Sequence, residues 1–137
     1  AEALGLAATG RSQAVGGVVS VSASDVVAAH LLPPLVRQLR AARPDTPIVL
    51  VEDRGFPNAW IETAKADYNR ANHAALREAY AALQREPVPR IHYVAGTELY
   101  GTDSEGSTDN AHANDLGFLR MADVMEPVLR AALPPAR

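Results

Sequence analysis

The sequence predicts an α/β fold in which a short parallel sheet is covered by helices on both faces. Short apolar stretches alternate along the chain with longer stretches of helical periodicity, and one of the short stretches, Ile48-Val49-Leu50-Val51, contains no polar residue. A continuous apolar strand is typical of a sheet that is buried on both faces. Regular alternation of strand and helix favours parallel pairing with right-handed crossovers. The predicted element order is therefore β-α-β-α-β-α.

The N-terminal third contains the first strand and the first helix of this prediction. We expect residues 1–17 to form a linker or a frayed, Ala-rich helix. Residues 18–23 alternate between valine and small polar or apolar residues, which predicts a strand. Ser24-Asp25 then supplies an N-cap for a helix that extends to about Arg43. Pro33-Pro34 either bends this helix or marks its true start.

The later elements continue the alternation. After the second strand comes a loop and then the longest helical pattern, at about 59–85. Ile91-His92-Tyr93-Val94 predicts a third strand, and a polar, Gly-rich stretch at 95–113 precedes a last helix at about 114–133. Loops of that length are often functional. The whole chain, 1–137, is predicted to be one three-layer αβα domain, flavodoxin-like, with parallel strands in the order 1-2-3.

Bulk properties narrow the possible functions. The chain has 137 residues, the length of one domain, and a net charge of −3 without a basic excess, so we expect no nucleic-acid partner. The chain has no cysteine, which excludes disulfides and thiol catalysis, and we expect no cofactor and no metal. No apolar run is long enough to span a membrane, and Ala1-Glu2-Ala3-Leu4 lacks the basic residues of a signal peptide. The cellular location stays open, and we expect no membrane partner.

The most informative chemical pattern is Asp109-Asn110-Ala111-His112, directly before the last predicted helix. Histidine is suited to proton transfer at neutral pH, and a nearby carboxylate can orient the imidazole and stabilise its charged form. From the spacing alone, an ordinary exposed turn is the simpler interpretation, because the motif has only two fixed positions. Asp103 and Glu105 lie in the same loop as Asp109 and His112, and together these side chains could bind a divalent cation. The fixed Gly and terminal Glu of a calcium-binding loop are missing, however.

Three segments resemble the C-terminal half of an SGNH (GDSL-like) hydrolase: residues 44–54, Pro57-Asn58-Ala59-Trp60, and residues 109–117. The resemblance covers about residues 44–133. It implies ester hydrolysis, with His112 as general base, Asp109 as the orienting acid and a small-molecule ester as substrate.

The resemblance also implies a serine nucleophile after the first strand, and no clear counterpart exists there. Ser24 occupies a strand-to-helix turn that suits a nucleophile, although a helix N-cap is the simpler interpretation. The Gly-x-Asn-Asp segment that carries oxyanion donors in the family is absent. Losing one such donor lowers the rate by about 10²–10³-fold. We therefore expect weak or no esterase activity.

Residues 10–45 resemble instead the start of the effector-binding domain of a LysR-type transcriptional regulator, through residues 18–25 and 28–35. This resemblance implies that Ser22 and Ser24 help to hold a small anionic ligand at a helix N-terminus. A join near 39–47 would make the chain a chimera. The alternatives to an esterase are therefore a recombined or engineered αβ scaffold without catalytic function, and a small-molecule-binding fragment.

Three expectations concern residues outside the main motif. Glu52-Asp53-Arg54 follows the second strand at the edge where open αβ sheets bind ligands, and a solvated loop with a local ion pair is the simpler interpretation. We expect Trp60 to pack in the core, and His30, His73 and His92 to be surface or structural residues. The exposed edges of a three-stranded sheet predict self-association.

Overall fold

The structure is a computed structural model that describes residues 30–86 and 88–133. Its elements in chain order are helix α1 (Leu32–Ala42), strand β1 (Ile48–Val51), helix α2 (Thr63–Gln84), strand β2 (Ile91–Val94), a 3₁₀ turn (Gly96–Glu98) and helix α3 (Asp115–Ala132).

The two described strands pair in parallel, with Ile48 opposite Ile91 and Val51 opposite Val94. These strands are the second and third predicted strands, and the α/β fold class is confirmed. The first predicted strand and the linker at 1–17 lie outside the described residues, so the strand order 1-2-3 stays a prediction.

Helix α1 begins at its two prolines. Pro33 and Pro34 lie in the first turn, where backbone N–H groups have no acceptor within the helix. The absence of these groups in proline therefore costs no hydrogen bond, and the two prolines mark the start of the helix and not a bend. Val36 on the inner face is 3% exposed and packs with Leu50 of β1 and Leu83 of α2. This cluster forms the centre of the core.

Helix α2 begins at Thr63, later than the sequence pattern near 59 predicts. The N–H groups of Ile61 and Glu62 both donate to the carbonyl of Asn58, so the chain forms a turn before the helix starts. Further along, Tyr80 stacks on Tyr93 of β2 with ring centroids 4.7 Å apart. This stacking places the C-terminal half of α2 against the sheet.

Glu52, directly after β1, is buried, so the interpretation of 52–54 as a solvated loop is wrong at this residue. It is 2% exposed, and its carboxylate accepts hydrogen bonds from Gly96 N at 2.7 Å, Tyr93 Oη at 2.5 Å and Arg77 Nε at 2.7 Å. Burial raises the pKa of this carboxyl group, but the three hydrogen bonds outweigh that effect and leave the pKa below its ordinary value. The carboxylate therefore ties together the ends of both strands.

The two strand ends approach so closely that Gly96 is required. A Cβ atom at this position would lie 2.0 Å from the carbonyl oxygen of Asp53, which is far inside van der Waals contact. Any side chain would push the two loops apart.

Helix α3 begins where the sequence pattern predicts, and Asn114 is its N-cap. The side-chain oxygen of Asn114 accepts from Gly117 N at 2.9 Å, and its amide group donates to the carbonyl of Glu105 at 2.7 Å. The start of α3 is thereby tied to the long loop, and the helix packs against both strands. None of the described helices combines the length and apolar character needed to cross a membrane.

Candidate functional site

Asp109 and His112 lie in contact in the loop before α3. The Nδ1 atom of His112 is 2.7 Å from Oδ2 of Asp109. Because an ionised carboxylate can only accept, Nδ1 carries a proton, and in the neutral ring Nε2 is therefore the unprotonated nitrogen. The His112 side chain is 85% exposed, so Nε2 is accessible to solvent and to a substrate. This is the tautomer that a general base requires.

The other oxygen of Asp109 is held by the loop itself. Oδ1 accepts from the N–H groups of His112 at 2.8 Å and Ala111 at 2.9 Å, and from the hydroxyl of Ser107 at 3.2 Å. The hydrogen bonds from His112, its backbone N–H first, hold the pKa of Asp109 well below its ordinary range. Asp109 is therefore ionised at neutral pH, and the short spacing in sequence suffices to build the contact.

Arg54 links the loop after β1 to the loop that carries the pair. Its Nε donates to the carbonyl of Ala111 at 3.0 Å and to Tyr100 Oη at 3.1 Å, and its Nη2 also bonds to the Ala111 carbonyl. Its Nη1 pairs with Asp53 at 2.5 Å, which is the local ion pair expected from the sequence. Because Ala111 directly precedes His112, Arg54 fixes the backbone next to the imidazole. No local pattern in the sequence predicts this longer-range contact.

The Arg54 guanidinium also lies against two aromatic rings. Its central carbon is 5.8 Å from the ring centroid of Phe56 and 5.7 Å from that of Tyr100. Cation–π contacts of this kind stabilise a partly desolvated guanidinium. Burial lowers the pKa of Arg54. Its hydrogen bond and ion pair with Asp53 raise the pKa by more than burial lowers it, so the side chain keeps its charge.

An open cleft of about 660 Å³ lies between the loop after β1 and the loop after β2. Its lining includes Arg54, Phe56, Trp60, Asn69 and Tyr100. Neither Asp109 nor His112 lines this cleft, but Arg54 and Tyr100 both line it and both donate to the carbonyl of Ala111, the residue before His112.

Trp60 is 78% exposed, so the expectation that it packs in the core is wrong. It lies in the turn that Asn58 holds before α2, outside the helical face that packs on the sheet. It lines the cleft instead.

Two aspartates of the long loop each pair with a different basic side chain. Asp103 forms two hydrogen bonds with Arg120, each of 2.6 Å, and these hold its pKa well below the ordinary range. Asp109 is engaged by His112. Within residues 30–86 and 88–133, no three His, Asp or Glu side chains gather as possible metal ligands.

The nucleophile expected from the resemblance lies outside the described residues, because Ser24 falls in the undescribed N-terminal part. Two serines lie in the long loop. The hydroxyl of Ser104 donates to the carbonyl of Pro57 at 3.1 Å, and that of Ser107 bonds to Asp109. Neither of these two hydroxyls is bonded to the His112 ring.

A family model described as GDSL-like Lipase/Acylhydrolase family matches residues 18–130. A solved structure described as a GDSL-like lipase from Bacteroides ovatus ATCC 8483 is 26% identical, with a TM-score of 0.73 over 80% of this chain and 32% of that chain. The present chain thus spans about a third of the length of that protein. No curated protein matches.

The family match bears on the predicted join. A single match from residue 18 to residue 130 runs across the region 39–47 where a seam was predicted. The comparisons support the hydrolase resemblance and extend it toward the N-terminus. They give no support to a LysR-like segment at 10–45 or to a chimera, and they do not favour a recombined scaffold.

Proposed function

The chain belongs to the GDSL-like lipase/acylhydrolase family, and from this premise we propose that it carries the acid–base part of an ester-hydrolysing site. His112 is the general base, and Asp109 is the acid that orients it. The observation that carries the proposal is the 2.7 Å contact between His112 Nδ1 and Asp109 Oδ2, which leaves Nε2 unprotonated and accessible.

The proposed chemistry is a proton transfer coupled to acyl transfer. Nε2 of His112 takes the proton of a hydroxyl group, or of water, as its oxygen attacks the carbonyl carbon of the ester. When the tetrahedral intermediate collapses and the ester C–O bond breaks, the imidazolium returns the proton to the leaving alkoxide. Asp109 stays ionised because its pKa is held low, and it balances the positive charge of the imidazolium.

Turnover by this chain is proposed to be weak or absent. A positioned general base contributes about 10²–10⁴-fold to the rate. The sequence has no Gly-x-Asn-Asp segment to supply oxyanion donors, and a helix N-cap is the simpler interpretation of Ser24. Without a nucleophile the covalent route is lost, and only base-assisted attack by water remains.

Hydrolysis of 4-nitrophenyl acetate tests both parts of the proposal. We expect slow turnover without a burst in the wild type, a rate at the buffer level in His112→Ala, and no change in Ser24→Ala. Surface imidazoles also react with such esters, so His30→Ala serves as the matched control, since His30 is an exposed histidine. Equal rates in wild type and His112→Ala would contradict the role of the pair. A burst that disappears in Ser24→Ala would contradict the weak activity.

A further inference from the structure

Helix α3 has a second apolar face besides the one that packs on the strands. Phe118, Ala122, Met125 and Leu129 follow one another along it at intervals of four, three and four residues. At 3.6 residues per turn, this spacing places the four side chains within about 60° of one another around the helix axis. Pro127 lies on the opposite side of the axis, and the helix continues past it. Apolar residues at these intervals form the seam through which helices pack in coiled coils, so this stripe fits the side of another helix.

The stripe is open to solvent. Phe118 is 63% exposed and Leu129 is 40% exposed, while Ala122 is exposed and Met125 is half-buried. Leu119, which is 58% exposed, widens the apolar surface next to Phe118. Contiguous apolar surface that is left open in this way marks an interaction site more often than scattered exposed leucines do. Its removal from water would supply the main favourable free energy of association.

The stripe is complementary to an antiparallel copy of itself. Its midpoint lies between Ala122 and Met125, so an antiparallel copy places Phe118 opposite Leu129 and Ala122 opposite Met125, twice each. Each of these pairs joins a larger side chain with a smaller one, which is what interdigitating helices need. A parallel copy would instead set Phe118 against Phe118 and Ala122 against Ala122. The order of side chains along α3 therefore favours the antiparallel arrangement.

The charges at the two ends of α3 favour the same orientation. Asp115 is the first residue of the helix and Arg130 lies in its last turn, and both are exposed. An antiparallel copy brings Arg130 of one helix toward Asp115 of the other, and it also opposes the two helix dipoles. A parallel copy would place each of these charges beside its like. Because Arg130 also pairs with Glu126 at the surface, we expect this attraction to affect orientation more than affinity.

We propose that the chain forms a two-fold symmetric dimer in which α3 packs antiparallel on α3 of a second copy. Both copies then use the same surface, as is usual in homodimers. His112 lies three residues before α3, so the two His112 side chains lie at opposite ends of the interface. An 18-residue helix is about 27 Å long, and the two imidazoles are therefore far apart.

Sedimentation equilibrium of the whole chain over a concentration series tests the association. We expect the wild type to pass from monomer to dimer as its concentration rises. Phe118→Asp and Leu129→Asp each place a carboxylate in the stripe and should raise the dissociation constant about tenfold or more, equivalent to at least about 1.4 kcal/mol. Leu35→Asp is the matched control, because Leu35 is a 49% exposed leucine on α1, and it should associate as the wild type does. Circular dichroism checks that all variants fold.

Disulfide formation tests the orientation, because the chain has no cysteine of its own. Ala122→Cys and Met125→Cys are prepared separately, mixed and oxidised, and mass spectrometry identifies the linked peptides. We expect a disulfide between position 122 of one copy and position 125 of the other. Ala131→Cys is the matched control, since Ala131 is an exposed alanine of α3 outside the stripe, and it should form little disulfide with Met125→Cys.

Four results would overturn the proposal. A dimer that persists in both α3 variants, or one that Leu35→Asp weakens as strongly, would place the interface elsewhere, such as at a sheet edge. Equal disulfide formation by Ala122→Cys and Ala131→Cys would contradict the antiparallel packing. A monomer at every concentration would exclude the dimer, and a lower melting temperature of that monomer in Phe118→Asp would then assign the stripe to residues 1–29 of the same chain. None of these measurements depends on turnover or on His112.

Discussion

The contacts of His73 with Glu52 and of His112 with Asp109 pair the same two kinds of side chain in opposite surroundings. His73 is 9% exposed; its Nε2 donates to the carbonyl of Asp53 at 2.7 Å, and its Nδ1 lies 3.6 Å from Glu52 Oε2. His112 is exposed, and only Nδ1 is turned to its carboxylate.

This difference separates a structural histidine from one that is available for chemistry. Both nitrogens of His73 face protein oxygens, so the ring connects helix α2 to the loop after β1 and has no nitrogen free for proton transfer, although it contributes to the lining of the cleft. His112 has its orientation fixed through one nitrogen while the other stays accessible. Substitutions at the two sites should therefore affect different properties, stability at the first and reactivity at the second.

Removal of the buried carboxylate should have the largest effect on stability. We expect Glu52→Ala to lower the free energy of unfolding by about 3–5 kcal/mol, because it leaves the Gly96 N–H, the Tyr93 hydroxyl and the Arg77 guanidinium without their shared acceptor. Urea denaturation measures the change. Glu126→Ala, which removes an exposed partner of Arg130, is the control and should change stability by less than about 1 kcal/mol. A similar loss of stability in both variants would show that the hydrogen bonds of Glu52 contribute no more than an exposed ion pair does.

Exchange of each histidine for alanine tests the comparison itself. We expect His73→Ala to lower the free energy of unfolding by about 1–3 kcal/mol, because it opens space in a buried site and leaves the Asp53 carbonyl without its donor. His112→Ala should stay within about 0.5 kcal/mol of the wild type, since the side chain is exposed. Thermal and urea unfolding of both variants measure this. The reverse order would break the distinction between the two histidines.

Removal of the Arg54 side chain, which joins the loop after β1 to the loop before α3, should have an intermediate and local effect on stability. We expect Arg54→Ala to lower the free energy of unfolding by about 1–2 kcal/mol and to increase amide hydrogen exchange at 109–112, because the Ala111 carbonyl loses both donors from Arg54 and keeps the longer hydrogen bond from the Tyr100 hydroxyl. Arg130→Ala is the matched control, since Arg130 pairs with Glu126 on the exposed surface of α3. Unchanged exchange at 109–112 in Arg54→Ala would show that the loop keeps its conformation without the guanidinium.

The smallest effect should appear in the acid range. The folded-state pKa of Glu52 lies below its ordinary value, so its contribution to stability is fully present above that value and is lost as the pH falls through it toward the folded pKa. We expect the stability of Glu52→Gln, followed by urea denaturation from neutral pH to pH of about 3, to fall less steeply than that of the wild type below pH of about 4.3. Parallel curves for the two proteins would contradict this.

Local patterns in the sequence predicted the elements and the Asp109–His112 contact. The strand at the apolar run of β1 and the start of α3 near Asn114 depend on neighbouring residues only, and both are found as predicted. The contact between Asp109 and His112 needs a spacing of three residues in a turn, so the sequence contains all of the information that it requires.

The two misses have different physical causes, which are distance along the chain for Glu52 and a local turn for Trp60. Glu52 was predicted to lie in a solvated loop because its partners Arg77, Tyr93 and Gly96 come from later elements that only the folded chain brings together. Trp60 was assigned to the core because tryptophan is usually buried, but the turn at Asn58 delays the start of α2 and leaves the indole outside the packed face.

The aromatic surroundings of Arg54 have a consequence for ionic strength. Mobile ions screen charges that are in contact with water, and they screen partly buried charges much less. Arg54 lies between the rings of Phe56 and Tyr100, whereas the pair of Arg130 and Glu126 is open to solvent. Concentrated salt should therefore weaken the surface ion pair of α3 and leave the Arg54 connection intact. The loop that carries His112 would then keep its conformation across a wide range of salinity.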